Sequence, residues 1–197
     1  MRTIGHRKIF AIPCAALLLA GSLALHAQGP SDADKKFVTA ALRGGMGEVT
    51  IGQMAADHGN SQDVKDFGQK MVTDHTALGD KMKGVAGQIG VTPPTMMAPS
   101  DDVLEAKLKV LSGDAFDKAY IQAMVKDHRE DLMAFNKEIN QGTSPEVKAA
   151  AADGKKVVAE HLRMIRKIAQ AHGLDTKPTA STSSDEPFSA DVPSDVR

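Results

Sequence analysis

The chain has little that could brace or decorate a fold covalently. Its single cysteine is Cys14, and it has no tryptophan, one tyrosine and six phenylalanines in 197 residues. No disulfide can form within it. Aromatics this scarce exclude a surface that stacks bases or sugar rings. A basic face is missing too: the formal net charge is −1, which argues against a nucleic-acid binder. After one apolar run near the N-terminus there is no second, so no transmembrane span is expected beyond it.

That run explains the start of the chain. Arg2, Arg7 and Lys8 form a basic opening. Ile9 to Leu25 is apolar and interrupted by Pro13, and Leu-His-Ala at 25–27 offers a small residue before a cut. The pattern predicts a signal peptide over 1–27 and export to the periplasm or cell envelope. The run is short for a bilayer span of about 20 residues, so an uncleaved anchor is disfavoured. Cys14 lies inside the run without a lipobox before it. Cleavage would remove three cations and no acid, taking the net charge from −1 to −4. At the other end, residues 173–197 are rich in Ser, Thr, Asp and Pro. They are expected to be a disordered tail, because they cannot bury enough apolar surface to offset ordering.

Between these ends the apolar residues recur at alternating steps of three and four, the rhythm of amphipathic helices. Phe37, Ala41, Gly44, Ile51 and Ala55 mark a helix over about 32–58. Val64, Phe67, Met71, Leu78, Met82, Val85 and Ile89 mark one over about 62–89. Leu104, Leu108 and Leu111 mark a short helix over about 101–111. Ile121, Val125, Leu132, Phe135 and Ile139 mark a helix over about 114–140. Val147, Ala151, Val158, Ile165 and Ile168 mark the last, over about 145–172. The paired prolines Pro93 and Pro94 exclude helix from the connection after the second. The expected fold is all-α: a four-helix bundle over 32–172 with one additional short helix between the second and third long ones. Asn60 with Asp63, and Thr143 with Glu146, fit helix-capping patterns. Pro145 suits a first turn. The similarity of NSQDVK at 60–65 to TSPEVK at 143–148 is compatible with an internal repeat of helix pairs.

Each long helix has one ionisable residue where its rhythm calls for a core residue: Glu48, His75, His128 and His161. Glu48 and His75 are nearly equidistant from the turn near residue 61, as are His128 and His161 from the turn near 144. Antiparallel pairs therefore place all four in one layer. A buried carboxylate and three imidazoles are costly without partners. One solution is a single transition-metal ion (Zn, Fe, Cu or Mn) held by the four side chains. The other is a self-satisfied hydrogen-bond network.

Asp74, Asp127 and Glu160 each precede one of these histidines. They are read as solvated charges or as groups that orient an imidazole. Asp131, three residues after His128, is an auxiliary candidate ligand on the same face. Asp114 and Asp117 read as capping acids of the fourth helix. Tyr120 is expected to hydrogen-bond across the bundle. His58 and His172 suit helix C-termini. Met96 and Met97 form a soft-ligand pair in the loop, the one methionine pair worth testing for copper, while Met71, Met82 and Met124 read as core. Interior glycines 44, 45, 47 and 52 in the first helix imply close helix approach or space around Glu48.

At GMGEVTIGQMA (45–55), VKDFGQKMVTDH (64–75), SGDAFDKAYIQAMVKDHRED (112–131) and AEHL (159–162) the chain resembles a family of bacterial exported, ferritin-like proteins. That family is catalogued as a domain of unknown function (number 4142), and its members are often labelled outer-membrane proteins. The resemblance spans roughly 34–172. It implies a ferritin-like bundle in the envelope and points to Glu48, His75, Asp117, Tyr120, His128 and His161, with no established activity. Relatives often place Leu-Pro before the last histidine, where this chain has Lys155 and Lys156. Di-iron bundles use Glu-x-x-His, whereas Val72 and Val158 stand three residues before His75 and His161. An iron-oxidising centre of that kind is thus disfavoured, and a transmembrane barrel is incompatible with helices.

The functional expectation is an exported bundle binding one transition-metal ion, for envelope stress or metal buffering. A metal-free structural or interaction protein of the envelope is the alternative. A metal-dependent redox or hydrolytic enzyme ranks third, because no nucleophile motif is legible. Protein partner and oligomeric state are not encoded in any readable pattern.

Overall fold

The computed structural model describes residues 29–176. The expected signal peptide and nearly all of the expected tail lie outside the described residues. Five helices follow one another: α1 (Asp32–His58), α2 (Gln62–Gln88), α3 (Pro99–Lys109), α4 (Gly113–Gln141) and α5 (Pro145–Ala171). The long helices keep the expected bounds to within a residue. The short α3 starts and ends two residues early, because Pro99 suits the first turn of a helix, where its missing N–H costs nothing. Among the described residues no strand occurs, and no helix is long and apolar enough to cross a membrane.

The caps differ slightly from expectation. Ser31 and Asp34 form a reciprocal capping box at α1. The N-caps of α2 and α5 are Ser61 and Ser144, one residue after Asn60 and Thr143. Ser144 accepts from Val147 N–H at 3.3 Å. Asn60 and Thr143 are instead engaged by acids from the opposite helix pair. The Asn60 side chain donates to Asp114 at 2.9 Å, and the Thr143 hydroxyl donates to Asp34 at 2.5 Å.

These cross-links define the topology. Asp117 accepts from Asn60 N–H and Ser61 N–H, each at 2.8 Å, so α4 starts at the end where α1 finishes. Asp34, at the start of α1, accepts from Thr143 N–H at 2.9 Å in the α4–α5 turn. Asp117 is therefore not a cap of its own helix; it closes the α1–α2 turn by accepting from two of its amides. Since α4 starts at the same end as α2 and runs in the same direction, the segment between them must return along the bundle, with α3 packed on α1 and α4. One long crossover of this kind is the ferritin-like arrangement. The pairs Asp34/Asp117, Gly59/Gly142, Asn60/Thr143, Ser61/Ser144 and Val64/Val147 are all separated by 83 residues. Matching spacing and reciprocal bonding together support a repeated helix pair.

The core lies in separate apolar regions. One gathers Ile51, Phe67, Met71, Tyr120, Ile121 and Ile165 towards the α1–α2 turn. The others gather Val38, Leu42 and Met82, and Phe135, Ala151 and Val158, towards the far end. Burying each large side chain contributes about 1.5–3 kcal/mol. The gap between these regions is where the four ionisable residues sit. Gly52 and Gly68 allow α1 and α2 to touch, since a Cβ on either would collide with backbone or Cβ atoms of the other helix. Around Gly44, Gly45 and Gly79 added Cβ atoms would meet nothing within 4 Å. The glycines of α1 thus serve both purposes anticipated for them.

Candidate metal centre

Glu48 from α1, His75 from α2, His128 from α4 and His161 from α5 meet in one buried layer, with exposures of 5, 2, 0 and 0%. The ring centroids of the three histidines are 5.1 to 5.9 Å apart. Phe67 lies against the rings of His128 and His161 and closes the layer towards the α1–α2 end.

Every imidazole has one nitrogen against an oxygen. Nδ1 of His128 donates to the carbonyl of Met124 at 3.0 Å, one turn back on its own helix. Nε2 of His161 donates to Asp74 at 2.7 Å. Nδ1 of His75 lies 2.8 Å from Glu48 Oε2, although off the line of a directed hydrogen bond. Those oxygens fix which nitrogens keep their lone pairs. A carbonyl and a carboxylate only accept, so the proton sits on His128 Nδ1 and His161 Nε2. The remaining nitrogens turn inward. His75 Nε2 and His161 Nδ1 are 3.2 Å apart, and His128 Nε2 has no hydrogen-bond partner. One ligating nitrogen from each of the three lies within 4.8 Å of the other two. This buried His/Glu group could hold a metal ion.

Electrostatics agree with that donor set. Burial depresses the pKa of His75 to about 4, against the pull of Asp131, Asp127 and Asp74. It depresses His128 to about 3, helped by the neighbouring His75 and His161. His161 is also lowered by burial, although its bond to Asp74 opposes the shift. All three are neutral at pH 7, the form that offers a lone pair. Burial raises Glu48, and Asp101 raises it further. Burial raises Asp131 to about 8, with Glu48 adding to the shift. Asp127 moves up for the same two reasons.

The remaining sequence candidates fall in several places. Asp127 joins Glu48 and His128 in a second group whose potential ligand atoms lie within 4.8 Å of one another. Glu160 is exposed and lies 3.6 Å from Lys70. Tyr120 is fully buried, stacked on Phe116, and its hydroxyl has no partner, so the expected bond across the bundle is not made. His172 pairs with Asp63 at 3.2 Å rather than capping α5 alone. Met96 is 70% exposed in the crossover. Asp101, on α3, acts on Glu48 across a place where Gly47 has no side chain. Sequence periodicity gave no hint of it, because α3 packs against the bundle rather than within it. A cavity of about 100 Å³ borders Gly44, Glu48, His75 and Asp131.

Several solved structures share this fold. A DUF305 fragment from Deinococcus radiodurans aligns with a TM-score of 0.62 at 14% identity, covering 74% of this chain and 99% of its own. CopM in its Cu(I)-bound form aligns with a TM-score of 0.59 at 17% identity, covering 70% and 96%. A two-domain protein from Anabaena variabilis with DJ-1/ThiJ/PfpI-like and ferritin-like domains aligns at 0.54 and 13% identity, covering 79% and 42%. At these identities the likeness establishes the fold alone. No curated protein is significantly similar in sequence. The family model described as domain of unknown function DUF4142 matches residues 20–168, three-quarters of the chain, and the chain belongs to that family.

Proposed function

We propose that this protein is exported and binds one transition-metal ion in the layer of Glu48, His75, His128 and His161, in a metal-buffering or envelope-stress role. The three imidazoles are the direct donors. Glu48 sits against the far nitrogen of His75, 2.8 Å away, and holds that ring in place. The observation that carries this reading is the shared orientation of the rings. Each has one nitrogen within 3.0 Å of an oxygen and leaves the other to a common centre, the arrangement that orients histidine ligands in metal sites. Imidazoles suit Zn, Cu and Fe, and the nearby carboxylate extends the range to Mn. The Cu(I)-bound form of CopM, which has the same fold, makes copper one of the ions to test. Export rests on the basic and apolar segment at residues 1–27.

A metal-free network is the second reading, favoured by the 3.2 Å contact between His75 and His161. It leaves His128 Nε2, which an ion in the imidazole centre would engage, buried without a partner. Such a group costs about 1–3 kcal/mol. The two readings separate on metal content. Untagged protein is dialysed against Zn, Cu, Fe or Mn and its bound metal measured, with circular dichroism as a check on folding. One retained ion that disappears in His128→Ala and His161→Ala supports the metal centre. Folded protein that retains no ion rejects it.

A further inference from the structure

The carboxylates beside the histidine layer form a constellation of which the imidazole site uses only Glu48. Asp127 and Asp131 are one turn apart on α4 and so share a face. Ligand atoms of Glu48, Asp127 and His128 lie within 4.8 Å of one another, and Asp131 faces Glu48 directly. Asp101 leans in from α3 over Gly47, where any side chain would overlap its carboxylate. Among the described residues, the lysines in ion pairs engage Asp74, Asp80, Glu105, Glu130, Asp153 and Glu160, none of this group.

An acidic cluster alone is no site, but a buried atom that the imidazole centre leaves unused points into this one. Glu48 Oε1, on a side chain only 7% exposed, has no hydrogen-bond partner. It lies 3.7 Å from Nε2 of His128, the nitrogen turned towards the imidazole centre. A divalent ion among these carboxylates gives that orphaned oxygen a charge to face.

We propose that Glu48, Asp127 and Asp131 form a second, oxygen-donor site for a hard divalent cation of the manganese or magnesium class, bordered by His128. Carboxylates match such ions, whereas the imidazole trio matches softer ones. Ions of this class keep several waters. The cavity of about 100 Å³ that borders Glu48 and Asp131 has room for them. Glu48 is common to both sites, with Oε2 against His75 and Oε1 towards His128. The second site does not require the trio to be loaded.

The test uses untagged full-length protein. It is first loaded with Zn²⁺ and washed, then dialysed against Mn²⁺ alone, and both metals are quantified. The expected result is one Zn and one Mn per chain in the wild type. In the double variant Asp127→Asn/Asp131→Asn the Mn is lost and the Zn retained. These near-isosteric changes remove two half-buried acids without creating a void, and circular dichroism confirms folding. Electron paramagnetic resonance of the wild type gives a second readout: bound Mn²⁺ loses the sharp six-line signal of the free ion. Folded wild type that binds Zn but no Mn, or a double variant that keeps the Mn, overturns the second site. Mn bound without Zn would reject only the imidazole reading.

Discussion

Nε2 of His161 on α5 lies 2.7 Å from Oδ2 of Asp74 on α2, so Asp74 orients a histidine on another helix and not its own neighbour His75. Lys70 holds Asp74 from the outside at 2.9 Å. Burial tends to raise the Asp74 pKa, but the bonds to Lys70 and His161 outweigh it and keep the carboxylate ionised. Asp74 therefore fixes the tautomer of His161 while remaining partly in water. Asp74→Asn preserves the shape and removes the charge. It should weaken metal retention by about 10–100-fold, measured by competition with a chromophoric chelator. Glu160→Gln, at the exposed acid beside His161, should leave retention unchanged.

The pH dependence of metal-free stability should be unusual. His75 and His128 titrate near 4 and 3 in the folded state, below the ordinary 6.5. Their contribution is present above pH 6.5 and is lost as pH falls towards 3. Asp131 titrates near 8 in the folded state against an ordinary 3.8. Its contribution is full below 3.8 and is lost as pH rises through 8. Between pH 6.5 and 8 only the carboxyls change, so the Tm of metal-free protein should fall with rising pH. Metal-loaded protein should show a flatter profile, because the imidazole ligands are already neutral there and a bound cation favours the ionised carboxylates. Thermal melts across that range, with and without ion, compare the two.

Glycines of α1, α2 and α5 should divide into two classes. Gly44→Ala and Gly79→Ala place a methyl in open space and improve helix propensity, so each should stabilise by about 0.4–1 kcal/mol. Gly52→Ala and Gly68→Ala force apart α1 and α2, and Gly154→Ala strikes the ring of Phe135. Each of these should cost about 1–3 kcal/mol. Urea denaturation of the five variants measures the contrast.

Asp117→Ala should cost about 3 kcal/mol, since it strands Asn60 N–H and Ser61 N–H after removing two charge-assisted bonds. Asp34→Ala should behave similarly through Thr143. Denaturant midpoints check both. If either variant melts like the wild type, the reciprocal acids do not hold the two turns.

How much of this was legible in the sequence depended on what each residue's position encodes. Glu48, His75, His128 and His161 could be placed in one layer because helical period and distance from a tight turn fix both face and height. Asp74 and Asp117 could not, because their partners sit on other helices and follow from interhelical crossing. The direction of the crossover was equally hidden, since both directions bring the midpoints of α2 and α4 to one level. Asp101 escaped because α3 flanks the bundle, and only the gap at Gly47 marks its approach. Tyr120 looked like a cross-bundle donor from its amphipathic chemistry; the acceptor it would need is not there.

X-ray absorption at the edge of the bound ion is the most direct measurement of the central claim. For Zn-loaded protein, three imidazole nitrogens at about 2.0–2.1 Å are expected, with the imidazole scattering reduced in His128→Ala. A spectrum of sulfur donors, or an imidazole signal unchanged in His128→Ala, would place the ion elsewhere and contradict it.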